Sequence, residues 1–339
     1  MKLIATEEHY MSKAVNEQYM KVMTELVSPA IRARLEGLQH FLESNREISD
    51  LGELRLAAMD KQGVDIQVIS YGNNSPMDLP PESAVLLCRQ ANDELAAAIQ
   101  KHPTRFAGFA VLPVGNPQAA AEELTRAVKE LGFVGASLNG VYHGRFFDEP
   151  EYFPIFEKAA QLNVPVYFHP GFPDEKVSDY YYRGENIPAD VSAVFSAYGY
   201  GWHVDAGIHM IRMLLSGIFE RLPDLKVITG HWGELVPYYF NRLDDYFFKS
   251  MTGFDRKFSD IYKEHVYITP SGIMSRSTAM LAIEEMGADH VLWSCDFPYV
   301  RREDGKDFLM ELDLSEDARE KIAYKNAETL LFKNAPGGN

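Results

Sequence analysis

The 339-residue chain predicts an α/β fold, a (β/α)8 barrel of the TIM type. Three observations carry this. Eight short β-rich runs recur along the whole length, stretches with helical spacing separate them, and no repeat, low-complexity tract or linker divides the chain. Strands alternating with helices call for a parallel sheet, and eight such units in one chain of this size match a closed barrel. The competing shape, an open doubly wound sheet, needs a Gly-rich turn after its first strand; Glu7-Glu8-His9-Tyr10 stands there instead.

The runs are 3–9, 65–72, 106–114, 133–140, 165–171, 226–231, 266–272 and 291–298. Residues 82–102 place Val85, Leu86, Ala91, Leu95 and Ile99 at helical spacing, and 117–131 forms a helix opened by Pro117 and closed by Gly132. Two connections exceed what a barrel needs, residues 10–64 after the first strand and 172–225 after the fifth. Both leave C-terminal strand ends, the face where barrel enzymes keep their chemistry, so they are expected to cover a site or to meet another subunit. Residues 1–339 are expected to form a single domain.

Composition excludes several classes. Lys and Arg number 33 against 49 Asp and Glu, a formal charge of −16, so the average field repels nucleic acid and anionic lipid. No run approaches the ~18 apolar residues of a membrane span. Two cysteines, Cys88 and Cys295, make no disulfide framework and fit a reducing compartment, and Met1–Asn339 carries no signal-peptide pattern, so a cytoplasmic location is expected.

Acids and histidines fall where the barrel would use them. Glu7 and His9, two apart on the first strand, are expected by period-2 alternation to point to the same side, into the barrel mouth. His169 ends the fifth strand, His231 the sixth and Asp296 the eighth. Taken singly, each reads as an ordinary polar residue at a strand end. A carboxylate inside an apolar strand, however, costs several kcal/mol unless it is paired or bound to a cation. One divalent ion satisfies Glu7, His9, His169 and Asp296 together, and two imidazoles with two carboxylates suit zinc or manganese. Cys295 alternates away from the interior and is expected to be structural. His231 and Glu234 lie three apart at an expected helix start, so the carboxylate can fix the imidazole tautomer and leave its other nitrogen to the pocket. The plainer reading is a helix cap.

Glu7-x-His9, His169-Pro170, Gly230-His231-Trp232-Gly233-Glu234 and Ser294-Cys295-Asp296-Phe297-Pro298, in this order, resemble the amidohydrolase superfamily. They are most similar to its metal-dependent non-oxidative decarboxylases, the carboxymuconate-semialdehyde, γ-resorcylate and carboxyvanillate type. Glu7-x-His9 replaces the His-x-His of hydrolytic members. The resemblance implies Glu7, His169 and Asp296 as metal ligands, with His9 variable in that branch. It places His231 beside the metal and Glu234 behind it. It also implies Arg55 as a contact for the substrate acid, Asn139 as a polar pocket residue, and Arg242 as a contact for substrate or for a neighbouring subunit. Tyr10, Trp232, Phe297 and Tyr299 are candidates for the pocket wall.

The activity so implied is decarboxylation of a hydroxybenzoate-type acid to CO2 and a phenol, with one divalent ion, no organic cofactor and a homodimer or dimer of dimers. Asp296 would deliver the proton, assisted by His231 and Glu234. The alternative for the same site is hydrolysis of a lactone, ester or amide by a metal-activated water.

Overall fold

Seven strands pair side by side in chain order, every pair parallel: β1 (Ile4–Tyr10), β2 (Ile66–Tyr71), β3 (Phe106–Val111), β4 (Gly135–Asn139), β5 (Val166–His169), β6 (Val227–Thr229) and β7 (Val266–Ile268). The protein was analysed as a computed structural model, which describes residues 1–333, without the side chains of residues 29, 30, 33, 34, 38 and 41–43.

The expected eighth strand is not a continuous ladder. Val291 bridges Ile268 of β7 and Trp293 bridges Ala5 of β1. The Leu292 N–H donates to the Ile268 carbonyl at 2.9 Å, and the Thr6 N–H to that of Trp293 at 2.8 Å. This segment touches both edges of the curled sheet, giving a TIM-like α/β barrel. Ile4, Val68, Phe109, Tyr167, Ile228 and Leu292 form the buried cluster at its centre, and a second, larger cluster lies between strands and helices.

The helices start as the sequence dictates. α1 (Lys13–Leu26) is capped by Ser12, whose hydroxyl accepts the Val15 N–H, and α2 (Pro29–Ser44) follows. α3 (Glu53–Gln62) ends at Gly63, φ +66°. α4 (Pro81–Lys101) and α5 (Pro117–Lys129) each open on a proline, the second capped by the Asn116 side chain. α6 (Phe153–Leu162) leads to β5. The connection between β1 and β2 therefore holds α1 to α3. The connection between β5 and β6 holds α7 (Ala189–Ser196) and α8 (Gly201–Leu215).

β1 is not evenly alternating. Its register to β2 shifts between Ala5 and Glu8. Ile4 belongs to the barrel centre, so strict alternation would turn Glu8 inward. The extra residue instead reverses the phase, sending Glu7 and His9 inward and Glu8 outward.

Candidate active site

Four side chains from three distant parts of the chain converge at the C-terminal ends of the strands. Glu7, His9, His169 and Asp296 each offer an atom within 4.8 Å of all the others, the spread expected of donors about 2.0–2.3 Å from one ion.

Each donor is oriented from behind. Glu7 accepts the Thr269 hydroxyl at 2.9 Å and the Ser271 hydroxyl on Oε2, leaving Oε1 3.6 Å from His169 Nε2. His169 Nδ1–H donates to the Pro170 carbonyl at 2.7 Å, which puts the Nε2 lone pair toward the cluster. His9 Nδ1 meets the Ser70 hydroxyl at 3.0 Å, and its Nε2 lies 3.2 Å from Asp296 Oδ1. Burial holds His9 down to about 4 and His169 down to about 3, so both rings are neutral at physiological pH, as metal ligands must be. Burial also pushes Asp296 up to about 7.

Three buried atoms here, Glu7 Oε1, His9 Nε2 and Asp296 Oδ1, have no hydrogen-bond partner among the described residues. Unpaired buried polar atoms are costly, and three converging lone pairs fit a divalent cation. Gly230 keeps the space open: a Cβ there would sit 2.7 Å from Ser271 Oγ and 3.0 Å from Glu7 Oε1.

The expected helix start at His231 is instead a left-handed turn. His231, Trp232, Gly233, Glu234 and Leu235 all have φ between +50° and +84°. Such a turn costs roughly 1–2 kcal/mol per non-glycine residue. Its backbone and indole are tied to the loop after β7: His231 N–H to Ser271 Oγ at 2.8 Å, Trp232 N–H to Thr269 O at 2.7 Å, and the Trp232 indole to Ile273 O at 2.7 Å. Ser271 and Asp296 are also left-handed, at +46° and +61°. Three strand ends around one centre thus hold strained backbone, which concentrates where geometry serves function.

The pairing of His231 with Glu234 is present, Nδ1 to Oε1 at 2.6 Å. The other carboxylate oxygen takes His203 Nδ1 at 2.9 Å, a residue of α8 that sequence reasoning missed. Trp202 Nε1–H donates to His203 Nε2 at 3.0 Å, so a neutral His203 carries its proton on Nδ1, toward Glu234. Burial opposes charge on His231, yet Glu234 outweighs it and raises the imidazole to about 9. Burial likewise works to raise Glu234, but His231 and His203 hold it below the usual carboxylate range.

Arg55 is elsewhere. It is fully buried behind β1, donating to the His9 carbonyl at 2.6 Å, the Asp50 carbonyl at 2.9 Å and Gln67 Oε1 at 3.1 Å, with its guanidinium over Phe297. Its donors thus serve the far side of the strand, away from the cluster where the expected contact with a substrate acid would lie. Arg242 is exposed and stacks on Tyr246. It does not join the cluster within one chain. Asn139, opposite His169 in the β4–β5 register, is directed by Ser137 and by the Tyr71 and Gly72 carbonyls. It lines a cavity of about 1100 Å3 between the two long connections, and none of the four donors is among the residues lining that cavity. Among the four aromatic candidates only Tyr299 reaches the cluster, its ring 5.3 Å from that of His9. Tyr10 donates to Ala91 O, Trp232 to Ile273 O, and Phe297 packs under Arg55.

With this geometry in place, residues 39–333 match the amidohydrolase family, and the chain belongs to it. It falls in the decarboxylase branch. The chain is 34% identical over 337 residues to decarboxylase orsB of Emericella nidulans, covering 97% of this chain and 96% of that one. It is 32% identical over 350 residues to gamma-resorcylate decarboxylase of Polaromonas, covering 98% of each. The crystal structure of 5-carboxyvanillate decarboxylase from Novosphingobium aromaticivorans, complexed with manganese and 4-hydroxy-3-methoxy-5-nitrobenzoic acid, superposes with a TM-score of 0.85. Identity there is 27%, over 97% of this chain and 95% of that one.

Proposed function

We propose that the chain is a metal-dependent, non-oxidative decarboxylase of a hydroxylated aromatic carboxylate, releasing CO2 and a phenol. The observation that carries this is the convergence of Glu7, His9, His169 and Asp296, with three of their atoms buried and without a hydrogen-bond partner among the described residues, beside the His231–Glu234 pair. Those four residues would hold one divalent ion, manganese or zinc, which when bound supplies positive charge to orient the substrate carboxylate and neighbouring phenolic oxygen.

The remaining chemistry belongs to the chain. Asp296 gives its carboxyl proton to the ring carbon that bears the carboxylate. The bond to that carboxylate then breaks, its electron pair restores the aromatic ring, CO2 departs, and Asp296 is left ionised. An acidic protein of charge −16 needs local positive charge to receive an anion. With Arg55 committed behind β1, the His231 imidazolium held by Glu234 supplies it. Asn139, at the cavity edge, would hydrogen-bond a ring substituent.

Exposed Tyr238, Tyr239, Tyr246 and Met251 along the segment carrying Arg242 support a homodimer or dimer of dimers, in which Arg242 could serve a neighbour. Cys88 and Cys295, buried and unpaired, support a reducing, cytoplasmic setting. Among the described residues no helix is long and apolar enough to cross a membrane.

The test is CO2 release by manganese-loaded protein across a panel of hydroxybenzoates, with lactones and esters assayed in parallel. CO2 from at least one hydroxybenzoate, lost on chelation and restored by metal, is expected. Lactone or ester hydrolysis without CO2 from any acid overturns the assignment in favour of a hydrolase.

A further inference from the structure

Between the two inward residues of β1 stands Glu8, turned to the other face, fully buried, and used by nothing in the chemistry above. Its Oε1 accepts the backbone N–H of Cys295 at 2.8 Å and its Oε2 that of Phe297 at 3.0 Å. The N–H between them, that of Asp296, goes to the Glu7 carbonyl at 3.1 Å. Three consecutive backbone donors are therefore all received by the dipeptide Glu7-Glu8. A parallel ladder takes N–H groups only from alternate residues, so the side chain of Glu8 receives the two that the ladder leaves.

We propose that Glu8 is a positioning residue for the metal donors, a buried carboxyl that locks the Asp296 end of the chain against the Glu7 and His9 end. This rests on the metal reading above. Asp296 adopts φ +61°, a conformation that a non-glycine residue holds only when its surroundings impose it. The flanking N–H groups of Cys295 and Phe297 are where that imposition acts. The return contact, His9 N–H to the Phe297 carbonyl at 2.7 Å, closes the other side. Behind Glu8, Gln67 spans from its Oε2 at 3.5 Å to Arg55 at 3.1 Å, and Arg55 reaches the His9 carbonyl at 2.6 Å. One buried network thus fixes the backbone of both His9 and Asp296, whose side-chain donors lie 3.2 Å apart. Supports behind metal ligands act by orienting them, and their loss weakens metal binding by about 10- to 100-fold.

The experiment is Glu8→Gln, which keeps the shape but sets an amide NH2 against one of two backbone donors. Mn2+ affinity is measured from free-ion EPR on stripped and reloaded protein, beside thermal melting of the metal-free form. Asn92→Ala is the control, since Asn92 makes the same kind of buried clamp, on both backbone groups of Val111, far from the donors in chain order. Glu8→Gln is expected to bind Mn2+ at least tenfold more weakly while still folding, and Asn92→Ala to melt lower with Mn2+ affinity within twofold of wild type. A loss under tenfold in Glu8→Gln, or an equal loss in Asn92→Ala, overturns the proposal. If Glu8→Gln does not fold, Glu8→Asp, which keeps the carboxyl group and shortens the reach, is held to the same threshold. Failure of both to fold also overturns it, since the need would then be general. Wild-type protein that binds no Mn2+ overturns the metal reading itself, whereas tight wild-type binding with unchanged Glu8→Gln binding overturns the clamp alone.

Discussion

His9 Nε2 and Asp296 Oδ1 lie 3.2 Å apart, although one residue belongs to the first strand and the other to the segment that closes the barrel. Neither atom has a hydrogen-bond partner among the described residues, and both are buried. The barrel brings two donors together and leaves them unsatisfied, which is the arrangement a cation completes.

Asp296→Asn keeps the size of the side chain and removes the acid. It is expected to abolish CO2 release while leaving the circular dichroism spectrum native. Activity above about a tenth of wild type, a barrier change of about 1.4 kcal/mol, excludes Asp296 as the proton donor.

His203→Ala removes one of the two imidazoles that grip Glu234. Turnover is expected to fall about tenfold, with KM changed less, because His231 loses its fixed orientation. His203→Asn, whose amide can stand in for Nδ1–H, should recover most of the loss in steady-state assays. Equal kcat in the two variants rules out a positioning action through Glu234.

Arg55→Lys preserves charge and gives up the planar fork that serves His9, Asp50 and Gln67 at once. The expected cost is about 2 kcal/mol of stability, read in urea unfolding. KM for the aromatic acid should stay within twofold. A tenfold rise in KM with unchanged stability would instead return Arg55 to the substrate.

His209, buried on α8, accepts the Phe147 N–H on Nε2 at 3.0 Å, and burial lowers it from 6.5 to about 3. Between those values the unfolded chain binds a proton that the folded ring refuses, so stability is complete above about pH 6.5 and is lost as pH falls. His209→Gln retains an acceptor without the titration. The wild type is expected to lose about 2 kcal/mol more than the variant between pH 7 and pH 5 in urea unfolding. Parallel losses would assign the acid sensitivity to other groups.

Strand-end chemistry was legible because it is local. Period-2 alternation sends Glu7 and His9 the same way whatever surrounds them, and Pro170 after His169 and Phe297-Pro298 after Asp296 mark where strands stop. They do meet in the barrel mouth as expected, but by way of the register shift between Ala5 and Glu8, which exists only in the pairing with β2 and which alternation alone does not contain. The turn at His231 misled for a related reason. Gly230-His231-Trp232-Gly233-Glu234 reads as a helix start by composition, but hydrogen bonds from the loop after β7 hold it left-handed.

By itself the sequence determined the alternation of strands and helices, the strand ends that carry acids and histidines, and the family to which those motifs belong. Only the tertiary structure decided that Arg55 faces away from the site, that His203 enters it from α8, and that Glu8 ties Cys295 and Phe297 to β1. The reason is physical: periodicity and turn chemistry act over a few residues, whereas the face a buried side chain serves is set by which distant segments leave hydrogen-bonding groups for it to satisfy.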